Sequence, residues 1–221
     1  MTLSLTLNEG ADINALLSQN IMCITGTDTG IGKTILTGLL AKELAQYQSV
    51  VTQKWVQSGD LDSPDIHTHD HLSGQGHDAK WLDDRQVYSF NDPVSPHLAA
   101  KLANKTINPA KLKQAAHRLA QHFDTVLVET SGGIMVPLTD SITTGDVVAE
   151  MGMPTIVVVP NKLGTINHSL LTINYLNQHK IPVLGFIMNQ FDTNQSPLQA
   201  DNPRIIQALS NVKWMGTIRH L

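Results

Sequence analysis

A glycine-rich turn between a short apolar run and a helical pattern constrains this chain more than any other feature. Residues 26–34 read GTDTGIGKT, and the apolar run 21–24 precedes them. Such a turn lets successive backbone N–H groups point inward, and the positive end of the following helix adds to their effect. The sequence therefore predicts a phosphate-binding loop, in which Lys33 reaches the outer phosphates and the Thr34 hydroxyl binds Mg²⁺.

The loop departs from the usual G-x-x-x-x-G-K-[ST] pattern at its first position. Thr27 stands where that pattern has its first glycine, and Gly26 lies one residue earlier. A glycine-rich turn without a ligand is the alternative interpretation, but Gly-Lys-Thr at a helix start after an apolar strand favours a nucleotide site. The loop by itself predicts nucleotide binding and leaves the reaction open.

The length and composition restrict the class of protein. The 221 residues suffice for one domain, and strand and helix patterns alternate along them, which predicts a single α/β domain with a mostly parallel sheet and helices on both faces. A net charge of −4 provides no basic field, so we expect no nucleic-acid partner. The single cysteine, Cys23, excludes an intrachain disulfide and predicts a buried thiol in a reducing, cytoplasmic setting.

The first twenty residues differ from the rest of the chain. They have neither a positively charged start nor a sustained apolar core, so they do not resemble a secretory signal, and no later run is long enough to span a bilayer. We therefore expect no membrane partner. We interpret residues 1–20 as an N-terminal extension, an arm or a short helix at 12–17, that precedes the main domain at 21–221.

Polar side chains at the ends of two predicted strands are candidates for the same site. Lys54 and Ser58 lie at the end of the strand predicted at 50–56, and Glu129 follows the strand predicted at 126–128. Ligands of open parallel sheets bind at the carboxyl ends of the strands, beside the phosphate loop. Glu129 is therefore a candidate Mg²⁺ ligand, with an ordinary strand end before a glycine-rich turn as the alternative.

The polar segment 59–78 is interrupted by glycine and proline and predicts a long surface loop. It carries four histidines, but no cysteine supports a transition-metal site, so a solvated loop is favoured. Asp78, at its end, has two interpretations: a carboxylate that contacts a divalent ion, or the N-cap of a short helix. The four histidines are His67, His69, His71 and His77.

The remaining patterns alternate in the same way. The turn at 161–168, NKLGTINH, favours either an anion at a helix start or a well-capped helix. Strands are predicted at 86–90, 155–159, 183–188 and 214–218, and helices at 34–47, 96–103, 109–121, 144–151 and 203–209. A further helix follows the turn at 161–168 and ends near residue 179.

Several motifs together resemble the dethiobiotin synthetase family of the phosphate-loop superfamily. Thr27 is the usual residue of that family at its position, so the irregular loop supports the resemblance. The motifs are GTDTGIGKT at 26–34, the KxVxSG-like stretch at 54–59, Ser-Pro-His at 95–97, Glu-x-x-Gly-Gly at 129–133 and NKLGTINHSLLT at 161–172.

The resemblance implies an ATP- and Mg²⁺-dependent enzyme with a phosphate-loop NTPase fold. Such an enzyme closes a cyclic urea on 7,8-diaminononanoate with CO₂ or bicarbonate, through a carbamate and a carbamic-phosphoric anhydride. It also implies a homodimer with the substrate site at its interface, where Asn167 binds the substrate carboxylate of the partner's site.

The resemblance further implies the roles of individual residues. Lys33 follows the γ-phosphoryl group, Lys54 holds the carbamate, and the Mg²⁺ ligands are Thr34, Asp78 and Glu129. Thr29 and Ser58 position the amines or the carbamate by hydrogen bonds. The implied nucleotide-binding set is Gly30, Ile31, Gly32, Lys33, Thr34, Ile35, Asp78, Glu129 and Asn189, the last of them at the adenine edge.

Three other functions remain open at this point. One is a related ATP-dependent ligase or amidotransferase synthetase domain that acts on another carboxylate. Another is a partition-type switch ATPase, although such proteins usually have a lysine where this loop has Asp28. The third is a nucleotide-binding module that has lost its activity.

Overall fold

An eight-stranded sheet runs through the middle of the molecule in the order β1-β8-β7-β6-β2-β5-β3-β4. The computed structural model describes residues 3–9, 11–62, 64–190 and 196–220. Neighbouring strands are parallel except for the β1 and β8 pair. The strands are β1 Leu3–Leu7, β2 Ile21–Gly26, β3 Val50–Ser58, β4 Gln86–Phe90, β5 Thr125–Glu129, β6 Thr155–Pro160, β7 Val183–Gln190 and β8 Trp214–His220.

Helices cover both faces of this sheet, and a short 3-10 turn at Ala79–Trp81 precedes the fourth helix. The helices are α1 Ile13–Leu17, α2 Lys33–Leu44, α3 Asp65–Ser73, α4 Leu82–Arg85, α5 Pro96–Leu102, α6 Pro109–Ala120, α7 Thr144–Glu150, α8 Thr165–Gln178 and α9 Pro197–Ser210. The predicted α/β architecture is therefore confirmed. Within the described residues, no helix combines the length and the apolar character needed to cross a membrane.

Each face of the sheet has its own apolar layer. Alternating strand side chains point to opposite faces, so neighbouring residues of one strand enter different layers. Cys23 of β2 belongs to the layer that contains residues of α5, α6, α7 and α8, whereas Met22 and Ile24 belong to the layer that contains residues of α1 and α2. The predicted burial of Cys23 is confirmed, and burial raises the pKa of its thiol to about 12.

Two predicted segments differ from the structure. The surface loop predicted at 59–78 is wrong for much of its length, because residues 65–73 form α3, which packs against α2. The helix predicted at 203–209 begins earlier, at Pro197, where Ser196 and Gln199 form a capping box. Pro203 therefore lies inside α9 and not at its start.

The N-terminal segment contributes to the sheet. α1 occupies most of the predicted helix at 12–17, and Asp12 caps it through a hydrogen bond from the Ala15 N–H. β1 was not predicted; it pairs with β8 in antiparallel fashion, from Leu3 opposite His220 to Leu7 opposite Gly216. Gly216 permits the close approach, since a Cβ there would lie 2.4 Å from the Thr6 carbonyl oxygen.

Candidate active site

The phosphate loop connects β2 to α2 and contains two glycines in the left-handed region. Gly30 has φ 70° and Gly32 has φ 98°, conformations that disfavour residues with a side chain. Lys33, the first residue of α2, folds back over the loop, and its Nζ donates to the Asp28 carbonyl oxygen at 2.7 Å. The glycine-rich turn and the helix start thus have the form expected of an anion cradle.

Asn189, near the end of β7, contacts the phosphate loop through a hydrogen bond and close packing. Its side chain is fully buried, and Nδ2 donates to the Ile31 carbonyl oxygen at 2.9 Å. A Cβ at Gly32 would lie 2.1 Å from that same Nδ2, so this close packing requires glycine. The role of Asn189 at the adenine edge remains a prediction.

Lys54 and Glu129 form a buried ion pair beneath the loop. They lie opposite each other in the parallel register of β3 and β5, and Lys54 Nζ lies 2.7 Å from Glu129 Oε1. Lys54 Nζ also lies 2.7 Å from Oδ2 of Asp65, the first residue of α3. Both Lys54 and Glu129 are almost completely buried, whereas Asp65 is partly exposed.

Hydrogen bonds on both oxygens hold the Glu129 carboxylate. Thr34 Oγ1 donates to Oε1 at 3.0 Å, and His69 Nε2 lies 2.7 Å from Oε2. Burial acts to raise the pKa of Glu129, but the Lys54 charge and the His69 hydrogen bond hold that pKa far below its usual range. The buried carboxylate is therefore ionised, as its partners require.

The two lysines of the site have pKa values shifted in opposite directions. Burial, together with repulsion from Lys54, lowers the pKa of Lys33 to about 8, against the opposing pull of the Glu129 carboxylate. Burial also acts to lower the pKa of Lys54, but Glu129 and Asp65 outweigh it and raise that pKa above its ordinary value. Lys54 is thus the more strongly held cation, whereas Lys33 gives up its proton at a lower pH than an ordinary lysine.

These groups line a cavity of about 230 Å³ at the carboxyl ends of the central strands. A second cavity, of about 360 Å³, adjoins it and shares Thr29, Ser58, Ser131 and Gly132. The first cavity is lined by Thr29, Gly30, Gly32, Lys33, Thr34, Lys54, Val56, Gln57, Ser58, Asp65, Glu129, Ser131 and Gly132. The apolar part of the second wall consists of Pro93, Val94, Pro96 and Val136.

Five of the residues implied by the resemblance do not line this cavity: Ile31, Ile35, Asp78, Asn167 and Asn189. Ile35 is half-buried on α2 and packs against the apolar layer, and Asn167 is exposed near the start of α8. Asp78 is exposed and caps the 3-10 turn, where its carboxylate accepts from the Lys80 N–H at 3.0 Å. The structure thus shows the N-cap, and a contact between Asp78 and a divalent ion stays a prediction. The carboxylate that lies beside Lys54 is that of Asp65.

Sequence reasoning missed Asp65 and His69, because both lie on α3, which was predicted as a solvated loop. A signal was present: Ile66, His69 and Ser73 are spaced for one helical face, and all three are buried. Pro64 in the N-cap position was a further sign of a helix start.

The donor set at this site fits a hard divalent cation. Glu129, Asp65 and the Thr34 hydroxyl offer oxygen atoms, which Mg²⁺ prefers, usually from one or two carboxylates completed by phosphate and water. Among the described residues there is no group of three acidic, histidine or cysteine side chains that could hold a metal unaided. The protein oxygens therefore fit a Mg²⁺ ion whose remaining ligands are phosphate oxygens and water.

The fold and the site define a phosphate-loop nucleotide-binding protein. A ParA family ATPase from Chlorobium tepidum TLS matches over 90% of this chain and 82% of that chain, with a TM-score of 0.55 and 14% identity. Apo McdA from Cyanthece matches over 89% and 84%, with a TM-score of 0.55 and 13% identity. At these identities the likeness concerns the fold alone.

Sequence relatives narrow this class. ATP-dependent dethiobiotin synthetase BioD 2 of Haemophilus ducreyi is 44% identical over 174 residues, covering 77% of this chain and 82% of the relative. ATP-dependent dethiobiotin synthetase BioD of Anoxybacillus flavithermus is 34% identical over 215 residues, covering 90% of each. A family model described as an AAA domain matches residues 20–221. The chain belongs to the ATP-dependent dethiobiotin synthetase family, and the alternative of a partition-type switch ATPase is not favoured.

Proposed function

We propose that this protein forms dethiobiotin from 7,8-diaminononanoate, CO₂ or bicarbonate, and ATP. The observation that carries the proposal is the convergence of two buried lysines on one cavity, Lys33 from the phosphate loop and Lys54 from a separate strand. A carbamate and a triphosphate are both anions, so bringing them into contact requires positive charge on each side.

In the proposed reaction, one substrate amine attacks CO₂ and loses a proton to give a carbamate. A carbamate oxygen then attacks the γ-phosphorus of ATP, and the bond to the ADP oxygen breaks. The second amine attacks the carbonyl carbon of the resulting anhydride and loses a proton, the carbon–oxygen bond to phosphate breaks, and the cyclic urea closes. Phosphate and ADP leave.

Each lysine has its own part in this scheme. Lys33 accompanies the γ-phosphoryl group, whose negative charge favours the protonated form of the lysine that burial disfavours. Lys54 is held in place by Glu129 and Asp65. Its charge would stabilise the carbamate oxygen as that oxygen forms its bond to the γ-phosphorus. Thr29 and Ser58 line both cavities and would hold the amines, while Pro93, Val94, Pro96 and Val136 would contact the alkyl chain.

Mg²⁺ is part of the proposal. Thr34 and Glu129 would hold it, with Asp65 as the further carboxylate in place of Asp78. When bound, the ion neutralises charge on the β- and γ-phosphate oxygens. The protein's own contribution is to keep its oxygen ligands turned toward the phosphate loop.

We also propose a homodimer in which Asn167 binds the carboxylate of the diamine in the partner's site. Two exposed apolar residues support an interface here: Leu163 is 86% exposed and Leu171 is 61% exposed. Asn167 and Leu171 are four residues apart on α8, so they share one face of that helix.

The division of roles between the lysines has a direct test. Lys54→Ala should reduce turnover by about 10²-fold or more, as for loss of a group that stabilises transition-state charge, and should leave ATP affinity close to that of the wild type. Lys101→Ala, on an exposed position of α5, is the matched control. If Lys54→Ala lost nucleotide binding but kept its turnover number, the assignment would be wrong.

Subunit mixing tests the contribution of Asn167. Lys54→Ala and Asn167→Asp homodimers should both be inactive, because each lacks one part of every site. A mixed dimer contains one site with both native residues, so mixing after mild dissociation should restore activity. Two inactive variants that stay inactive in a verified mixed dimer would exclude a contact across the interface.

A further inference from the structure

The buried histidine of α3 contacts the site through Glu129 and does not line the cavity. His69 is fully buried, and its Nε2 lies 2.7 Å from Oε2 of Glu129, which is itself almost completely buried. Each Glu129 oxygen thus has its own partners: Oε1 takes Lys54 and Thr34, and Oε2 takes His69.

The hydrogen-bonding role of His69 follows from its surroundings. An ionised carboxylate can only accept hydrogen bonds, so Nε2 carries the hydrogen. The Nδ1 atom is buried and has no hydrogen-bond partner among the residues that the structure describes. His69 therefore donates one hydrogen bond at this site, from Nε2 to Oε2 of Glu129.

Two features of the fold bring His69 to this position. Gly38 of α2 lets α3 approach closely, because a Cβ on Gly38 would lie 3.2 Å from both Cα and the carbonyl oxygen of His69. One residue beyond His69, Asp70 accepts a hydrogen bond from Arg85 Nη1 at 3.0 Å, and Arg85 Nε donates to the Thr52 carbonyl oxygen of β3 at 3.1 Å. The helix is thus fastened to the sheet beside the histidine.

We propose that His69 is a positioning residue that fixes the rotation of the Glu129 carboxylate, so that Oε1 faces the phosphate loop and is available to Mg²⁺. The inference rests on the proposed function, in which this site binds Mg²⁺ with ATP. Without the hydrogen bond at Oε2, the carboxylate can rotate about its terminal torsion, which has a broad energy profile. Groups that orient a metal ligand from behind commonly affect metal affinity.

The test compares two amide substitutions that differ by one methylene group. His69→Gln can place its Nε2 near the position of the imidazole Nε2, whereas the amide of His69→Asn is too short to reach Oε2. His69→Asn should raise the Mg²⁺ concentration that half-saturates nucleotide binding by about 10–100-fold, the range for loss of such an orienting partner. His69→Gln should stay close to the wild type.

The readout is the affinity for a fluorescent ATP analogue, measured across a Mg²⁺ titration and again in EDTA. In His69→Asn, the affinity for the analogue should fall in the presence of Mg²⁺ and stay unchanged in EDTA. The control is His71→Asn, at an exposed position of the same helix, which should behave as the wild type. The proposal is overturned if His69→Gln and His69→Asn give the same Mg²⁺ dependence, or if the loss is equal in EDTA. A variant that fails to fold is recognised by circular dichroism. If His69→Asn fails to fold, His69→Leu, which also lacks a hydrogen-bond donor, is compared with His69→Gln in its place.

This binding assay contains no diamine. A wild-type protein that makes no dethiobiotin would therefore refute the proposed function without affecting the result for His69. A wild-type protein that makes dethiobiotin, with identical Mg²⁺ dependence in both amide variants, would refute the role of His69 alone.

Discussion

Loss of the Lys54 side-chain charge should destabilise the protein strongly, apart from its effect on catalysis. In Lys54→Met, the Glu129 carboxylate keeps its contacts with Thr34 and His69 but loses the Lys54 ammonium, its only lysine or arginine partner among the described residues within ion-pair distance. Removing one partner of a buried ion pair costs about 3–5 kcal/mol. Asp65 adds little to this figure, because its side chain is 29% exposed and can be rehydrated.

The assay is urea unfolding of the free protein at neutral pH, in the wild type, in Lys54→Met and in Lys54→Met/Glu129→Gln. We expect Lys54→Met to lose about 3–5 kcal/mol of unfolding free energy, and the double variant to recover much of it because no buried charge is left unpaired. Lys113→Met, which breaks an ion pair with the exposed Glu150, is the control and should cost no more than about 1 kcal/mol.

The dependence of the unfolding free energy on pH provides a second test of the same prediction. The folded-state pKa of Glu129 lies below the ordinary value of 4.5, so its stabilising contribution is complete above that value and is lost as the pH falls below it. In Lys54→Met this acid-dependent loss should be smaller. The reasoning would be refuted if Lys54→Met lost less than about 1 kcal/mol of unfolding free energy and its stability fell with decreasing pH as steeply as that of the wild type.

Three further predictions follow from single residues. Lys33 has a pKa of about 8 in the folded protein against 10.5 in the unfolded chain, so between these values the unfolded chain binds more protons and the contribution of Lys33 to stability rises with pH. Bound ATP should raise the pKa of Lys33, so that binding near pH 8 is accompanied by proton uptake. Calorimetry in buffers of different ionisation enthalpy should detect this uptake in the wild type and not in Lys33→Met. Gly38→Ala would place its Cβ 2.8 Å from Leu72 Cβ, so it should cost about 1–3 kcal/mol in urea unfolding, whereas Gly76→Ala, with nothing within 4 Å, should not. Cys23 should react with a thiol reagent only as fast as the protein unfolds, because it is completely buried and its pKa is raised to about 12; rapid labelling of the folded protein would contradict this.

The sequence was sufficient for the features that depend on local pattern. The glycine-rich loop predicts a strand, a turn and a helix in fixed order, and β2, the turn and α2 follow that order. Lys54 and Glu129 were predicted together because both were assigned to the carboxyl ends of parallel strands. β3 continues to Ser58, so Lys54 lies within that strand, opposite the end of β5. Their pairing at 2.7 Å required only that β3 and β5 be neighbours in the sheet.

The features that the sequence did not provide depend on long-range packing. α3 has nine residues and a polar composition, and its buried face packs on α2, where Gly38 permits the close approach. Histidine was read as a solvated residue, but His69 gains a carboxylate partner 60 positions away. β1 likewise forms only by pairing with β8 at the other end of the chain. No local pattern specifies such partners.

Formation of dethiobiotin by the purified protein is the most direct test of the central claim. The reaction contains 7,8-diaminononanoate, ¹³C-labelled bicarbonate and Mg²⁺ with ATP, and mass spectrometry follows the product. We expect dethiobiotin that carries the ¹³C label, ADP and phosphate in equal amounts, and neither product nor phosphate release when the diamine or bicarbonate is omitted. Phosphate release that is independent of the diamine, with no labelled dethiobiotin, would contradict the account.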